Sequence, residues 1–490
     1  MELSKIIKEV EPLEVLNFKD VDICGISYNS KTINSHEIFV CLKGEHVDGH
    51  DYAQMAFEKG AVALMCERPL SIEIPQLIVN STQEKIADLS ACFYHNPSRE
   101  LNLIGVTGTN GKTTVTHLIQ KIFEQNNKKC ALIGTLGYKL SSSSEYFEAK
   151  HTTPQAPELQ HTLQKILKSD ILNVVTEVSS HSLEQHRVRK CKFSGAVFTN
   201  LTQDHLDFHI TMDNYFNAKA KLFKGLEKGA YAVINNDDKY AKRFIESVPK
   251  DVELITYGVK NNSDLMAKNI AFTSSGVSFT CTYKGQQTDI KLMLNGMFSV
   301  YNALAAIGCA LANGIDLEVS KAALEGTKSV AGRFEIVCTS PLVIVDYAHT
   351  PDGLENILRA ARELTPKDGS LICLFGCGGD RDATKRPKMG KIAQSLSDKI
   401  IVTSDNPRSE DPQQIITDIL SGLKLINPKT VFVEPDRAEA IKMLKTLAGE
   451  KDVVIVAGKG HEDYQILKDK TIHFDDREEV AKVFLNQPKL

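Results

Sequence analysis

Short apolar runs alternate with stretches of helical spacing throughout the last third of the chain. The runs predict strands at residues 342–345, 371–375, 400–403, 431–433 and 453–456. Between them lie amphipathic stretches, such as 353–364 and 413–423, that predict helices. Strands that alternate with helices in this way indicate a parallel, doubly wound sheet. We therefore predict an α/β domain over residues 333–490.

The middle of the chain shows the same alternation. An apolar run at 101–106 predicts a strand, and the apolar positions that follow, from Val115 to Phe123, fall at helical spacing. Further runs predict strands at 173–176 and 195–199, and a helix is predicted at 215–223. We assign these elements to a second domain, residues 99–332.

Residues 1–98 predict a smaller α/β unit. It has a strand at 37–42, a helix over 53–60 that ends at a glycine, and a strand at 62–65. A chain of 490 residues is long enough for about three domains. The predicted fold class is therefore α/β with three domains: the N-terminal unit, a central P-loop mononucleotide-binding parallel sheet and a C-terminal doubly wound, Rossmann-like sheet.

Composition narrows the function classes. The 58 basic and 62 acidic residues nearly balance, so neither nucleic acid nor a membrane surface is indicated as the main partner. The 11 cysteines include no C-x-x-C pair, which favours reduced thiols over a disulfide framework or structural zinc. No run reaches the roughly eighteen apolar residues of a membrane span, and residues 1–15 lack the apolar segment of a signal peptide. We expect a cytoplasmic protein.

The junction between the strand at 101–106 and its helix carries the clearest chemistry. It consists of Gly108, Thr109, Asn110, Gly111, Lys112, Thr113 and Thr114. Glycines let backbone N–H groups close around an anion, and the helix N-terminus adds partial positive charge. Lys112 supplies a mobile cation and Thr113 a hydroxyl for Mg²⁺. Val106 stands five residues before Gly111, so the spacing departs from G-x4-G-K-[ST]; the predicted ligand is nevertheless a nucleoside triphosphate.

Two side chains at neighbouring strand ends indicate a metal site. Glu177 ends the strand at 173–176, and His205 lies in the polar segment after the strand at 195–199. Ligands of open α/β sheets bind at the carboxyl ends of the strands, so we expect both to meet Mg²⁺ at the phosphate loop. The pattern alone gives no role to Lys219 on the following helix.

Polar segments also follow each strand of the last third. They begin at Asp346, Gly379, Asp405, Glu434 and Gly458. Polar strand ends that share one edge of one sheet indicate a cleft. That part of the sequence contains no G-x-G-x-x-G motif, so we do not expect a dinucleotide.

Segments spread over essentially the whole chain resemble the Mur ligase family and keep its motif order. They are residues 107–114, 177–181, 200–209, 215–223, 332–335, 346–352 and 405–408. They are most similar to the members that attach meso-2,6-diaminopimelate to UDP-MurNAc-L-Ala-D-Glu. The resemblance implies a cytoplasmic ligase of peptidoglycan synthesis that uses ATP and an acyl-phosphate intermediate to form UDP-MurNAc-tripeptide, ADP and phosphate. We expect it to act as a monomer.

The resemblance also implies a catalytic set that holds ATP and metal. Lys112 would bind the phosphates, Thr113 and Glu177 would ligate one Mg²⁺, and His205 would help to hold a second. The family lysine that matches Lys219 is carbamylated, which turns a cation into an anion able to serve the second metal. A free ammonium beside Mg²⁺ would be repelled. Further ATP contacts are implied for Asn302, Arg333, Asp346 and His349.

Other positions match the family's contacts to the two remaining substrates. For the nucleotide-sugar peptide these are Ser30, the loop near His46, Thr152, Thr153, Ser179, Gln185 and Arg187. For diaminopimelate they are Arg381, Asp405, Asn406, Pro407, Arg408, Gly458 and Glu462, with Glu462 suited to the distal ammonium. The chain departs from the family pattern at His151, which replaces an asparagine, and at 29–31, which read Asn-Ser-Lys instead of Asp-Ser-Arg.

Three alternatives stay open at this point. Diaminopimelate differs from lysine by one carboxylate, which the Arg408 fork would bind through two charge-assisted hydrogen bonds, so a lysine-adding ligase is the nearest rival. A folylpolyglutamate synthase-like ligase shares the architecture, although residues 405–408 and the pair Thr152 and Thr153 argue against it. A P-loop switch is the alternative from another class, but residues 235–238 are not the Asn-Lys-x-Asp of guanine binders.

Overall fold

The structure, a computed structural model, describes residues 1–44, 47–147, 151–273, 276–327, 330–424 and 426–485. Three sheets of five, ten and six strands follow one another along the chain, and a two-stranded hairpin lies near the end. Helices cover the sheets, so the predicted α/β class is confirmed. The domain boundaries at 98/99 and 332/333 stay a prediction.

The first sheet has the strand order β1-β5-β4-β3-β2, with only β1 antiparallel to its neighbour. Its strands are β1 (Glu14–Leu16), β2 (Gly25–Ser27), β3 (Glu37–Val40), β4 (Ala63–Cys66) and β5 (Gln76–Ile78). The helices are α1 (Leu3–Val10), α2 (Ala53–Glu58) and α3 (Thr82–Phe93). The side chain of Asp88 on α3 is buried beside Arg189 and Lys190, which joins this unit to the central sheet.

The central sheet has the order β15-β14-β13-β12-β11-β10-β6-β9-β7-β8. Its strands are β6 (Asn102–Thr107), β7 (Cys130–Gly134), β8 (Gly137–Lys139), β9 (Asn173–Glu177), β10 (Gly195–Phe198), β11 (Tyr231–Asn235), β12 (Glu253–Gly258), β13 (Leu265–Thr273), β14 (Gly276–Tyr283) and β15 (Gln286–Leu292). Its helices are α4 (Lys112–Gln125), α5 (Ala156–Lys168), α6 (Ser180–Glu184), α7 (Leu206–His209), α8 (Met212–Lys224), α9 (Ala241–Glu246), α10 (Met297–Ala312) and α11 (Leu317–Glu325). The predicted parallel sheet is confirmed from β13 through to β7 in this order, whereas β8, β14 and β15 pair antiparallel with their neighbours.

Strand β6 lies at the centre of the parallel part, between β10 and β9. Val106 and the other apolar side chains of β6 and α4 are fully buried, which packs α4 against the sheet. The carboxyl ends of these three strands meet at one edge because they are parallel and in register, with Val106 opposite both Val197 and Glu177. This edge carries the phosphate loop.

The third sheet has the order β16-β17-β21-β18-β19-β20. Its strands are β16 (Glu335–Thr339), β17 (Leu342–Asp346), β18 (Leu371–Phe375), β19 (Lys399–Val402), β20 (Val431–Val433) and β21 (Val453–Ala457), and the hairpin is β22 (Tyr464–Leu467) and β23 (Lys470–His473). The helices are α12 (Pro351–Leu364), α13 (Arg386–Leu396), α14 (Pro412–Leu420), α15 (Arg437–Leu447) and α16 (Asp476–Phe484). The predicted parallel sheet is confirmed except at β16, an antiparallel edge strand that the sequence pattern did not reveal.

A buried ion pair fixes two strand ends of the third sheet. Arg437 on α15 donates two hydrogen bonds of 2.7 Å to the carboxylate of Asp476 on α16, and both side chains are fully buried. The same guanidinium donates to the carbonyls of Ser404 and Ala457, at 3.1 and 2.9 Å. These carbonyls stand at the ends of β19 and β21, so the pair holds the two loops that follow in place.

Among the described residues, no helix combines the length and the apolar character needed to cross a lipid bilayer.

Candidate active site

A cleft of about 1070 Å³ lies between the carboxyl edges of the central and third sheets. Most predicted site residues line it, from the phosphate loop at one end to Arg408 and Glu462 at the other. The predicted residues in its wall are Thr109, Asn110, Gly111, Lys112, Thr113, Thr114, Thr152, Thr153, Glu177, Ser179, Gln185, Arg187, His205, Asn302, Arg333, Asp346, His349, Arg381, Asp405, Asn406, Arg408, Gly458 and Glu462. One continuous space therefore joins the predicted triphosphate site to the predicted amino-acid site.

The two sheets meet directly at the phosphate loop. Asn110 donates to the carboxylate of Asp352 at 2.9 Å, and Arg333 donates to the hydroxyl of Thr113 at 3.0 Å. Asp352 and Arg333 belong to the third sheet's part of the chain, more than 200 residues away in sequence. The loop is thus already covered from the side of the third sheet.

Gly111 is a position of the loop where a side chain would not fit. Its φ is +88°, and a Cβ there would lie 2.5 Å from Oδ1 of Asn302, a predicted ATP contact. An unfavourable backbone conformation of this kind costs about 1–3 kcal/mol. The loop therefore depends on glycine both for its own conformation and for its fit against α10.

Replacing Gly111 with alanine should raise KM for ATP by roughly tenfold, since the added methyl displaces Asn302 as well as straining the loop. Gly229→Ala is the matched control, because Gly229 has a φ of +87° and open space around its Cβ position. We expect the control to lower Tm without changing KM for ATP. Equal KM values for the two variants would show that the Asn302 contact is irrelevant to nucleotide binding.

Glu177 and Thr113 form a compact set of oxygen donors below the loop. Oε2 of Glu177 accepts hydrogen bonds of 3.1 Å from the hydroxyls of both Thr113 and Thr135, and Oε1 accepts from the Thr135 amide at 2.9 Å. The carboxylate is almost completely buried. Hard oxygen donors held this closely suit Mg²⁺. The described residues contain no group of three or more His, Cys, Asp or Glu side chains placed to hold a metal, so a site here relies on the hydroxyl and on other donors.

Lys112 and Lys219 converge on one carbonyl. Lys112 Nζ donates to the carbonyls of Gly108 and Thr109, at 2.9 and 2.8 Å, and Lys219 Nζ donates to that of Gly108 at 2.8 Å. Burial, together with the nearby Lys112 ammonium, lowers the pKa of Lys219 well below its usual value, although Asp204 opposes the shift. Lys219 lies beneath the loop and not in the wall of the cleft. A buried amine of depressed pKa is a nucleophile, which suits reaction with CO2.

His205 lies in a cluster of polar side chains that come from the parts of the chain around the central and third sheets. Its Nε2 lies 3.2 Å from Oδ2 of Asp204, which is also 3.8 Å from Nε2 of His349. Nζ of Lys385 lies 3.6 Å from the other oxygen of Asp204. Burial lowers the pKa of His205 to about 3, and the neutral imidazole that results is the form able to ligate a metal. Burial alone would raise the pKa of Asp204, but His205 and Lys385 hold it well below its usual value.

The predicted contacts to the muramoyl dipeptide form one network beside Glu177. Thr153 donates to the Glu177 carbonyl at 2.8 Å and accepts from the Ser179 amide at 3.1 Å. Arg187 donates to the Thr153 carbonyl at 2.9 Å and to the side-chain oxygen of Gln185. This network brings the predicted peptide-binding residues within reach of the predicted phosphate site.

The other end of the cleft holds two guanidinium groups. Arg408, at a φ of +53°, donates from Nη1 to the carbonyl of Gly379 at 2.7 Å. Burial, and after it the charge of Arg381, lower the pKa of Arg408, which indicates two cations close together. Paired guanidinium groups favour an anion such as a carboxylate. Asp346 and His349 also line the cleft.

Several predicted residues lie elsewhere. Gly108 and Pro407 are not in the wall of the cleft, and Ser30 is buried in the first unit away from it. The segment at Glu434, expected at the same cleft, does not line it, because it follows β20 at the edge of the third sheet. Its Asp436 caps α15 by accepting from the amides of Ala438 and Glu439. His46 falls outside the described residues.

Sequence reasoning gave no role to several charged residues of the cleft, among them Asp204, Lys385 and Asp352, or to a buried lysine beside it, Lys459. Asp204, Asp352 and Lys459 belong to segments that were singled out, but nothing in the pattern separated them from their neighbours. No sequence signal marks Lys385, since its contact with Asp204 spans 181 positions.

Comparison with known proteins agrees with this geometry. The profile of the Mur ligase middle domain matches residues 106–310, that of the Mur ligase, glutamate ligase domain matches 332–460, and that of the Mur ligase family, catalytic domain matches 22–95.

Individual relatives extend the similarity to the whole chain. A UDP-N-acetylmuramoyl-L-alanyl-D-glutamate--2,6-diaminopimelate ligase of Clostridium botulinum is 45% identical over 99% of both chains. A solved structure of a ligase with the same name is 32% identical, covers 98% of both chains and has a TM-score of 0.68. A folylpolyglutamate synthase of Mycobacterium tuberculosis, 17% identical over 77% of this chain and 92% of its own with a TM-score of 0.65, shares the fold alone. The chain belongs to the Mur ligase family.

Proposed function

We propose that the chain joins the amino group of meso-2,6-diaminopimelate to the D-glutamate carboxylate of UDP-MurNAc-L-Ala-D-Glu at the expense of ATP. The protein is an ATP-dependent acid–amino-acid ligase. The observation that best supports these substrates is one continuous cleft, which is lined by the phosphate loop and by the guanidinium groups of Arg408 and Arg381. Relatives that share 42–45% of its sequence are named for this reaction.

The activating step requires a carboxylate to meet the γ-phosphate. An oxygen of the D-glutamate carboxylate attacks phosphorus, ADP leaves, and an acyl phosphate results. Lys112 and the loop amides hold the phosphates, while the network of Thr153 and Arg187 orients the peptide. Mg²⁺ bound at Thr113 and Glu177, and at His205 with a carbamylated Lys219, would neutralise phosphate charge. Arg333, which donates to the Thr113 hydroxyl, adds the charge of a guanidinium beside the proposed metal ligand.

The second step forms the amide. The neutral amine of diaminopimelate attacks the acyl carbon, phosphate leaves, and the amine gives up a proton. Arg408 and Arg381 bind the distal carboxylate and Glu462 binds the distal ammonium, so the molecule is held by the end that does not react. Coverage of the loop by Asp352 and Arg333 shields the acyl phosphate from water.

The organisation proposed with this reaction has three domains. Residues 1–98 bind the UDP-sugar, 99–332 bind ATP and 333–490 bind the amino acid. We propose a cytoplasmic monomer, because one chain alone lines the described cleft from end to end. Sedimentation of the purified protein with and without ATP would test the monomer.

Phosphate release with each substrate omitted in turn tests the function. We expect release to require both UDP-MurNAc-L-Ala-D-Glu and diaminopimelate, with lysine and glutamate as poor replacements. Lysine used as well as diaminopimelate would make this a lysine-adding ligase. Release driven by a folate and glutamate would favour the folylpolyglutamate rival, and release that needs neither acceptor nor peptide would favour a P-loop switch.

A further inference from the structure

Lys459 is a fully buried lysine at the amino-acid end of the cleft. It follows β21, and its Nζ donates to Oε2 of Glu462 at 3.1 Å and to Oδ1 of Asn406 at 3.2 Å. Both partners are predicted diaminopimelate contacts. A buried ammonium is stable only when it is paired and hydrogen-bonded, so its position is fixed by these two groups.

The contacts of Glu462 divide its carboxylate into two unequal halves. Oε2 accepts from Lys459 and, at 2.9 Å, from the side-chain amide of Asn406. Among the residues that the structure describes, the one donor to Oε1 is the Tyr347 hydroxyl, at 3.5 Å, which is the outer limit of a hydrogen bond. Glu462 also lines the cleft. One oxygen is therefore held, and the other is left to receive a donor from the cleft.

A second carboxylate makes this arrangement depend on Lys459. Asp405 lies close enough to Glu462 that burial and, after it, the charge of Asp405 raise the pKa of Glu462, while Lys459 opposes the shift. Burial alone would raise the pKa of Asp405 as well, but Lys459 and Arg437 lower it. Without the lysine, the two acids would repel each other across a space with little water.

We propose that Lys459 is a positioning residue that fixes the Glu462 carboxylate as the receptor for the distal ammonium of the diamino acid. The inference rests on the proposed function and adds to it the group that sets affinity for the second amine. Lys459 acts through Glu462 and does not itself touch the substrate.

The test is a double-mutant cycle between Lys459→Met and Glu462→Gln, read as KM for diaminopimelate. Each single variant should raise this KM by at least about tenfold, and the double variant should raise it no further than Glu462→Gln does. KM for ATP should stay within about twofold of the wild type, because the phosphate loop is at the other end of the cleft. Lys468→Met, in the turn between β22 and β23 and exposed, is the matched control and should change neither value.

The outcomes separate the two levels of the proposal. A wild-type protein that does not ligate diaminopimelate contradicts the proposed function itself. A wild type that ligates it while Lys459→Met keeps a normal KM, or effects that multiply in the double variant, contradicts the role of Lys459. If Lys459→Met is insoluble, the double variant decides. It should fold, because position 462 then carries no charge that needs Lys459 as its counter-ion. Failure of the double variant to fold would mean that Lys459 supports the fold and does not act through Glu462.

Discussion

Arg408→Ala should lower kcat/KM for diaminopimelate by roughly 30-fold to several thousand-fold, the equivalent of about 2–5 kcal/mol for the loss of one partner of a buried charge pair. The guanidinium is partly buried and fixed by its hydrogen bond to the Gly379 carbonyl, so little is lost in ordering it when the carboxylate arrives. Alanine would leave the distal carboxylate of the substrate in the cleft beside Arg381 alone. Steady-state kinetics with diaminopimelate as the varied substrate measure the effect.

Two comparisons make this result specific to Arg408. Arg359→Ala removes an exposed guanidinium of α12 that pairs with Glu355, and it should leave the kinetics unchanged. The rate with lysine, which has no distal carboxylate, should change far less in Arg408→Ala than the rate with diaminopimelate. Equal losses of kcat/KM with both amino acids would mean that Arg408 stabilises the loop that contains it and does not recognise the distal carboxylate.

Lys219→Arg should lower kcat by about 100- to 1000-fold, the usual loss when one electrostatic stabiliser of a transition state is removed. The wild-type amine is buried 2.8 Å from the Gly108 carbonyl with a depressed pKa. Its lone pair can attack CO2, which forms a carbamate anion and releases one proton. A guanidinium cannot do this, so the variant keeps a cation beneath the phosphates where the proposed mechanism needs an anion.

Dependence on CO2 separates this explanation from simple misfolding. The wild type should lose activity in bicarbonate-free buffer and regain it when bicarbonate is added, whereas Lys219→Arg should respond to neither. Tm of the variant should be measured in parallel, because Lys219 is almost completely buried. Full wild-type activity under strict CO2 depletion would refute carbamylation.

Local pattern predicted the elements of this fold well. The strands at 371–375 and 431–433 have the predicted bounds, since each is a short apolar run bounded by polar residues or glycine. The helix predicted at 215–223 begins earlier, at Met212, because Thr211 caps it by accepting from the Asn214 amide. The meander β13–β15 was missed, because its half-exposed strands alternate polar and apolar residues instead of forming runs.

In the candidate site, too, residues set by local sequence were predicted, whereas residues brought together only by the fold were not. The phosphate loop and Glu177 were predicted because the residues that define them are adjacent in sequence or end a single strand. The cluster of Asp204, His349 and Lys385 was not, because it exists only where two sheets approach each other. Lys459 shows the same limit: its neighbours were predicted from a resemblance, but its own role follows only from which oxygen of Glu462 it holds.

The buried pair of Arg437 and Asp476 connects the last described helix to the proposed amino-acid site. The Arg437 guanidinium donates to the carbonyls of Ser404 and Ala457 and is held by Asp476 of α16. Helix α16 therefore helps to set the spacing between Asp405 and Gly458. Truncated proteins that end before α16 would leave the buried Arg437 guanidinium without its counter-ion, Asp476. Such truncations would be poor material for inhibitor screens against the amino-acid pocket, even where nucleotide binding survives.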